Sequence, residues 1–258
     1  MSYAKSAWCL LVVLAVAGLT EAQGFRWPEE PENLKALPAS VKGRELGAVM
    51  RGFTRALDVR CQYCHAAKAG SELDPRDLMT FDFASDENPR KNEARTMLRM
   101  VGAINDDHLS KLGVAASDRV RVECVTCHRG QSRPVMLGDV LAATITKDGV
   151  EAAVEQYREL RENHYGGFSY DFSPGVLGSL GESLISEDKL EDAIRILALE
   201  NEQNPDFAYG HYLSGTAHDK AGNRAEAISQ IEKALALTPD NRKAFLQREL
   251  DKLKNDEQ

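Results

Sequence analysis

Two short motifs in this sequence have the residue types and spacing for redox chemistry. Each reads Cys-x-x-Cys-His, and the residues are Cys61, Cys64, His65, Cys124, Cys127 and His128. In this pattern the two thiols form thioethers with the vinyl groups of one haem, and the adjacent histidine binds the iron. The sequence therefore predicts two covalently bound haem c groups, with His65 and His128 as iron ligands.

Two other chemistries use paired cysteines. A zinc site can be built from two Cys-x-x-Cys pairs, but these pairs are usually about 15 to 20 residues apart, whereas 59 residues lie between Cys64 and Cys124. A thioredoxin-like pair needs a surrounding alternation of strands and helices and does not require the histidines. The haem interpretation is favoured over both.

The second axial ligand of each iron distinguishes an electron carrier from a catalyst, because a catalyst needs an open or displaceable position. Met50 lies eleven residues before Cys61 and is the candidate at the first haem, with core packing as the alternative. Ahead of the second motif lie Met97, Met100 and His108. Of these we favour Met100 as the ligand of the second iron.

Composition and charge are those of an ordinary globular protein. The chain has 258 residues, a formal net charge of -8 and 43% hydrophobic residues, so nucleic-acid binding is not expected. Residues 1–137 carry 19 Lys and Arg against 17 Asp and Glu, and residues 138–258 carry 13 against 23. Together with the length, this asymmetry predicts two units, at residues 23–137 and 138–258.

The N-terminus resembles an export signal. Lys5 precedes an apolar run from Ala7 to Leu19, and small residues lead to an expected cleavage site after Ala22. About 13 apolar residues are too few for a membrane-spanning helix, which needs about 20, although an uncleaved anchor is the alternative. We therefore expect a signal peptide at residues 1–22, removal of Cys9 with it, and a periplasmic protein. Membrane association through a partner is compatible with this location.

Apolar residues at helical spacing predict a mainly α protein. One helix is expected at residues 43–57, one from Pro89 towards Gly113, and one at residues 149–165. Residues 66–90 are polar and interrupted by glycine and proline, so they are predicted to form a loop without strands. The first unit is thus expected to be a two-haem domain with long loops.

The C-terminal unit contains a repeat with a period of 34 residues. The matched pairs are Gly181 with Gly215, Ala193 with Ala227, Ile194 with Ile228, and Pro205 with Pro239. This period and these small residues resemble the tetratricopeptide repeat, a helix pair that usually serves protein binding. The first copy has Glu200 where the second has the small residue Ala234. We expect a helical, tetratricopeptide-like domain that binds protein.

The first unit also resembles a known family. Met50, ten further residues and then Cys-x-x-Cys-His, followed by the Met100 region and the second motif with its Arg129-Gly130, are similar to the cytochrome c subunit of photosynthetic reaction centres. The resemblance covers about residues 40–136 and corresponds to the C-terminal, two-haem half of that subunit. Family members usually hold four haems, and the other half is missing here.

The resemblance implies an electron carrier and not an enzyme. Its partners would be redox proteins, with the core subunits of a reaction centre as the specific expectation. A dihaem cytochrome of a non-photosynthetic respiratory chain and a dihaem peroxidase-like enzyme remain the alternatives. The missing half leaves the distal ligand of the second iron and docking on a reaction centre open.

Overall fold

The computed structural model describes residues 24–255, so the expected signal peptide at residues 1–22 lies outside the described residues. Most of these residues are helical, as the sequence predicted. None of the helices within residues 24–255 is long and apolar enough to cross a membrane.

Ten α-helices follow one another along the described chain. They are α1 (Gly43–Leu57), α2 (Pro89–Ala103), α3 (Cys124–His128), α4 (Leu137–Asp148), α5 (Val150–His164), α6 (Val176–Ser186), α7 (Leu190–Gln203), α8 (Ala208–Lys220), α9 (Arg224–Leu237) and α10 (Lys243–Asn255). The bounds of α1 and α5 agree with the predicted helices. The helix predicted towards Gly113 is divided, because after α2 the chain continues as a π-helix over Ile104–His108.

The predicted loop at residues 66–90 does contain a small β-structure, so the prediction of no strands there was wrong. Strands β1 (Ala66–Ala67) and β2 (Phe81–Asp82) pair antiparallel, with Ala66 opposite Asp82 and Ala67 opposite Phe81. Strands of two residues are too short to show the alternation by which a strand is recognised in a sequence. The pair closes the excursion at its base, and Phe81 is buried there.

Helix α1 is covered by the segment that precedes it. Gly47 lies so close to Trp27 that a Cβ at this position would stand 2.7 Å from Trp27 Cε2. Trp27 in turn meets Phe25 edge to face, at 5.2 Å between ring centroids. The helix ends at Asp58, whose left-handed backbone (φ 50°) reverses the chain before the first motif.

Helix α5 packs on α4, each helix from α6 to α10 packs on the next, and α4 and α5 contact α6 and α7, respectively. One hydrophobic core extends from Leu137 in α4 to Ala217 in α8, and a second, smaller cluster joins α9 to α10. Within the first core, Tyr157 of α5 and Phe172 of the following loop meet edge to face at 5.7 Å.

Residues 34 apart make equivalent contacts in α6–α7 and α8–α9. A Cβ on Gly181 would lie 2.6 Å from the Leu197 side chain, and a Cβ on Gly215 would lie 2.7 Å from Ile231. Leu197 and Ile231 are themselves 34 residues apart. Each pair of helices therefore approaches closely at a glycine, as the repeat predicted. Whether the repeat is of the tetratricopeptide kind stays a prediction.

Candidate haem-binding sites

The first motif forms one tight turn. A 3-10 helix spans Cys61–Tyr63, and the main-chain N–H groups of Cys64 and His65 both donate to the carbonyl of Cys61, at 3.2 and 3.0 Å. Both cysteines and the histidine are half-buried. The local backbone thus holds the three residues of the motif in a single turn.

The second motif is a short helix. Helix α3 begins at Cys124, and Thr126 Oγ1 accepts a hydrogen bond from the Glu123 N–H at 3.0 Å, which caps its first turn. The helix ends at His128 because Arg129 and Gly130 both have left-handed backbones, with φ of 49° and 77°. Glycine adopts this conformation without strain.

His128 has an acceptor for its inner ring nitrogen. Nδ1 lies 2.8 Å from the main-chain carbonyl oxygen of Gln131. A carbonyl can only accept, so Nδ1 carries the proton and a neutral ring keeps its lone pair on Nε2. This is the arrangement in which a histidine binds a metal through Nε2.

His65 lies in a different environment. Its Nδ1 is buried and has no hydrogen-bond partner among the described protein atoms. The ring meets Phe83 edge to face at 4.9 Å. Burial, and then the charges of Lys91 and Arg95, lower the pKa of His65 to about 4, so the ring is neutral near pH 7. Because the ring is neutral, one of its nitrogens keeps a lone pair that could bind iron.

The four cysteines of the described chain are free thiols. Burial raises the pKa of Cys64 and of Cys124, which keeps these two protonated at neutral pH. Within residues 24–255, no three His, Cys, Asp or Glu side chains come together in a metal cluster. The two cysteine pairs therefore do not meet in a shared zinc site, and they fit covalent attachment of a cofactor.

The candidate distal ligands lie on the two helices that precede the motifs. Met50 is half-buried in α1, and Met100 is 45% exposed in α2. Met97, which is 42% exposed, also lies in α2, whereas the exposed His108 ends the π-helix. The roles of Met50 and Met100 as iron ligands stay predictions.

Helix α2 also holds the first motif, through contacts that the sequence did not reveal. Arg90 lies over the Tyr63 ring, 4.3 Å from its centroid, and its Nη1 donates to the Tyr63 hydroxyl at 2.5 Å. Asn88 donates to the Tyr63 carbonyl at 3.2 Å. The sequence predicted that a helix begins at Pro89, but it contained no signal for these contacts.

A second set of contacts joins α2 to the loop beside His65. Lys91 Nζ donates to the carbonyls of Phe83, Ala84 and Ser85, at 2.8 to 3.0 Å. Three main-chain acceptors on one ammonium group leave this loop little freedom, so Phe83 is held against His65.

The two motifs are joined through α1. Helix α1 packs against α3, and the N–H of Gly130 donates to the carbonyl of Ala56 at 2.9 Å. The helix that leads into the first motif thus contacts the end of the second. The structure brings both predicted sites into one packed unit.

Apolar side chains remain uncovered around α2 and the second motif. The exposed ones are Met97, Met100, Leu112, Val114, Val120 and Val125. Asn105 ties the two segments together, since its amide donates to the Val122 carbonyl at 2.8 Å and its carbonyl accepts from the Val122 N–H at 2.9 Å. A haem has large apolar faces, so the free thiols, the histidine nitrogens and these surroundings together fit the group.

A comparison with protein families supports this chemistry. The family model of the photosynthetic reaction centre cytochrome C subunit matches residues 61–172. The match contains both motifs, begins after Met50, and continues through α4 and α5 to Phe172. It therefore reaches beyond residue 136, where the expected resemblance ended. The unit boundary at residue 137 stays a prediction.

A curated relative points in the same direction. Cytochrome c-554 of Chloroflexus aurantiacus (strain ATCC 29366 / DSM 635 / J-10-fl) is 38% identical to this chain over 73 residues, which is 28% of this chain and 14% of that protein. The chain thus matches a small part of the relative's length. Both comparisons find similarity to c-type cytochromes, which supports a role in electron transfer.

Proposed function

We propose that this chain is an exported, periplasmic c-type cytochrome that carries two haems and transfers electrons, as the similar reaction-centre cytochrome subunit does. The observation that carries the proposal is the second motif. Its two free cysteines lie in one short helix, and Nδ1 of the adjacent His128 is occupied by the Gln131 carbonyl at 2.8 Å. That leaves Nε2 for iron.

Each motif supplies the same set of groups. The cysteines would form the thioether bonds, His65 and His128 would bind the irons, and Met50 and Met100 would supply the second ligands. When bound, each haem supplies a reversible one-electron couple between Fe(II) and Fe(III). The protein keeps His65 neutral by burying it, and it holds His128 in one tautomer through Gln131.

The arrangement favours transfer between the two sites. Helix α1 packs against α3, so the two haems would be bound by one rigid part of the protein. Their redox partners are proposed to be proteins, with the core subunits of a reaction centre as the specific candidate. The acidic helical unit at residues 138–258 is proposed to bind a protein partner and to hold the cytochrome near the membrane.

Haem counting tests the cofactor part of this proposal. The full chain is produced in a host with a cytochrome c maturation system, and covalent haem per chain is measured from the pyridine adduct. We expect two haems in the wild type and one in each of the double variants Cys61→Ala/Cys64→Ala and Cys124→Ala/Cys127→Ala. Gln62→Ala, at an exposed position between Cys61 and Cys64, is the matched control and should retain two. One haem or none in the wild type would contradict the proposal.

Reactivity tests the electron-carrier part. If Met50 and Met100 hold the irons together with the histidines, the reduced protein should not bind carbon monoxide and the protein should not turn over peroxide. Rapid peroxide turnover would favour the peroxidase-like alternative. In membranes that contain this protein, flash-induced haem oxidation would support a reaction-centre partner, and its absence would favour a respiratory one.

A further inference from the structure

The segment after the second motif folds back onto His128, the last residue of the motif. Gln131 accepts from His128 Nδ1 through its carbonyl at 2.8 Å and donates its own main-chain N–H to the His128 carbonyl at the same distance. The left-handed backbones of Arg129 and Gly130 make this reversal possible. The Gln131 carbonyl is therefore placed by a turn of two residues, which the Gly130 N–H also ties to the Ala56 carbonyl of α1.

The side chain of Gln131 anchors this turn to another part of the fold. Its Nε2 donates to the main-chain carbonyl of Ser169, and its Oε1 accepts from the Val135 N–H at 3.4 Å. Ser169 also limits the space at the turn, because a Cβ on Gly130 would lie 3.2 Å from Ser169 Oγ. The turn is thus fixed from outside the motif.

The anchoring loop is itself well fixed. It runs from Tyr165 to Gly175, between α5 and α6, and its Phe172 is 9% exposed in the main core. At its far end the Gly175 N–H donates to the buried carboxylate of Glu200 at 3.3 Å. The Ser169 carbonyl therefore belongs to a packed segment that can hold the Gln131 side chain in place.

We propose that Gln131 is a positioning residue for the second haem: its side-chain amide, bound to the Ser169 carbonyl, keeps its own main-chain carbonyl on Nδ1 of His128. The inference rests on the proposed function. A hydrogen bond donated by Nδ1 fixes the tautomer and makes the ring a stronger donor to a metal. A stronger donor stabilises Fe(III) and lowers the reduction potential. Among residues 24–255, Nδ1 of His65 has no such acceptor, so this control applies to the second haem alone.

The test replaces Gln131 with Met in the haem-loaded full chain, because Met has the same length, no charge and no N–H donor. Potentials of both haems are measured by spectroelectrochemical titration. We expect the midpoint of the second haem to rise and that of the first to stay unchanged. Solvent exchange of the His128 Nδ1 proton, followed by NMR, should accelerate about tenfold, as for the loss of one hydrogen bond of ordinary net strength. Gln247→Met, at an exposed position of α10, is the matched control and should change neither.

The outcomes separate the inference from the proposed function. Fewer than two haems in the wild type would overturn the proposed function. Two haems in Gln131→Met, with unchanged potentials and unchanged Nδ1 exchange, would overturn the role of Gln131. If the variant loses the second haem or unfolds, the wild type still decides, because the side-chain amide protons of Gln131 must then exchange more slowly than those of the exposed Gln62. Equal exchange rates would contradict the proposal.

Discussion

The carboxylate of Asp86 accepts a hydrogen bond from Nη1 of Arg95 at 2.7 Å, although the two residues lie in a loop and in the middle of α2. Lys35 Nζ lies 2.6 Å from the same carboxylate, and Asn33 donates to it at 2.9 Å. Arg95 in turn donates to the Asn33 carbonyl at 3.0 Å. One acidic side chain thus joins the N-terminal lead-in, the loop beside the first motif and α2.

We expect Asp86→Ala to lower the thermal stability of the protein and to loosen the first haem site. Arg95 is only 7% exposed, and without Asp86 it would be a buried cation that has lost its carboxylate. The melting temperature, measured by circular dichroism, should fall clearly. Asp240→Ala removes an exposed i,i+3 pair with Lys243 and should change little. Equal melting temperatures for the wild type and Asp86→Ala would contradict the prediction.

Asp86 should also make the stability of the protein depend on pH. Hydrogen bonds from Lys35 and Asn33 hold the pKa of Asp86 well below its ordinary value. The unfolded chain then binds a proton more readily than the folded one, so the stabilisation is complete above about pH 4 and is lost as pH falls further. Denaturant unfolding of the wild type and Asp86→Asn at several pH values measures this. Their stability difference should shrink below about pH 4, and a constant difference down to about pH 2 would be inconsistent with it.

Met50→Ala tests the distal ligand of the first iron. A thioether ligand raises the reduction potential, so its loss should lower the midpoint of the first haem or open that position to carbon monoxide. Redox titration and the visible spectrum measure both effects. Met79→Ala, at a methionine that is 49% exposed in a 3-10 turn, is the control. If Met50→Ala left both potentials and the spectrum unchanged, Met50 would be a packing residue.

The sequence predicted the elements whose signal is local. Helices α1 and α5 follow apolar periodicity, and the glycine contacts in α6 to α9 follow the 34-residue repeat. It did not reveal what lies beside each histidine. The Lys91 ammonium group binds main-chain carbonyls, and Gln131 uses its own main-chain carbonyl and binds that of Ser169. Any residue type supplies such a carbonyl, so these contacts leave no signal in the sequence. The ion pairs of Asp86 join segments up to 51 residues apart, and nothing in their local sequences marks the pairing.

The repeat glycines give a steric prediction. A Cβ at Gly181 or Gly215 would stand under 3.0 Å from the facing Leu197 or Ile231 side chain, so that side chain or its helix must shift. We expect Gly181→Ala and Gly215→Ala each to lower the free energy of unfolding by about 1 to 3 kcal/mol. Gly138→Ala has no atom within 4 Å of the new Cβ. It should be neutral, or stabilising by up to about 1 kcal/mol.

Chemical denaturation gives these free energies directly. An equal and small effect of all three alanines would contradict the close approach of the helices. A loss confined to Gly215→Ala would mean that the first helix pair tolerates a wider spacing than the second. Comparing the loss of unfolding free energy in the two repeat variants therefore also shows how similarly the two helix pairs are packed.

Glu200 explains why the first repeat lacks the small residue of the second, where Ala234 stands. Its carboxylate is fully buried and accepts from the N–H groups of Gly175 and Gly178, at 3.3 and 3.0 Å, at the start of α6. Asn204 donates to the same carboxylate at 2.7 Å. The side chain thus satisfies helix N–H groups that have no partner within α6.

We therefore expect Glu200→Ala to destabilise the protein, although it makes the first repeat more like the second. The buried N–H of Gly178 and the half-buried N–H of Gly175 would lose their acceptor, and the buried one alone costs about 1 to 3 kcal/mol when nothing replaces it. Denaturant unfolding measures the loss, and Glu202→Ala, at an exposed position two residues away in α7, is the control. A variant as stable as the wild type would show that water reaches the start of α6 and takes over the role of the carboxylate.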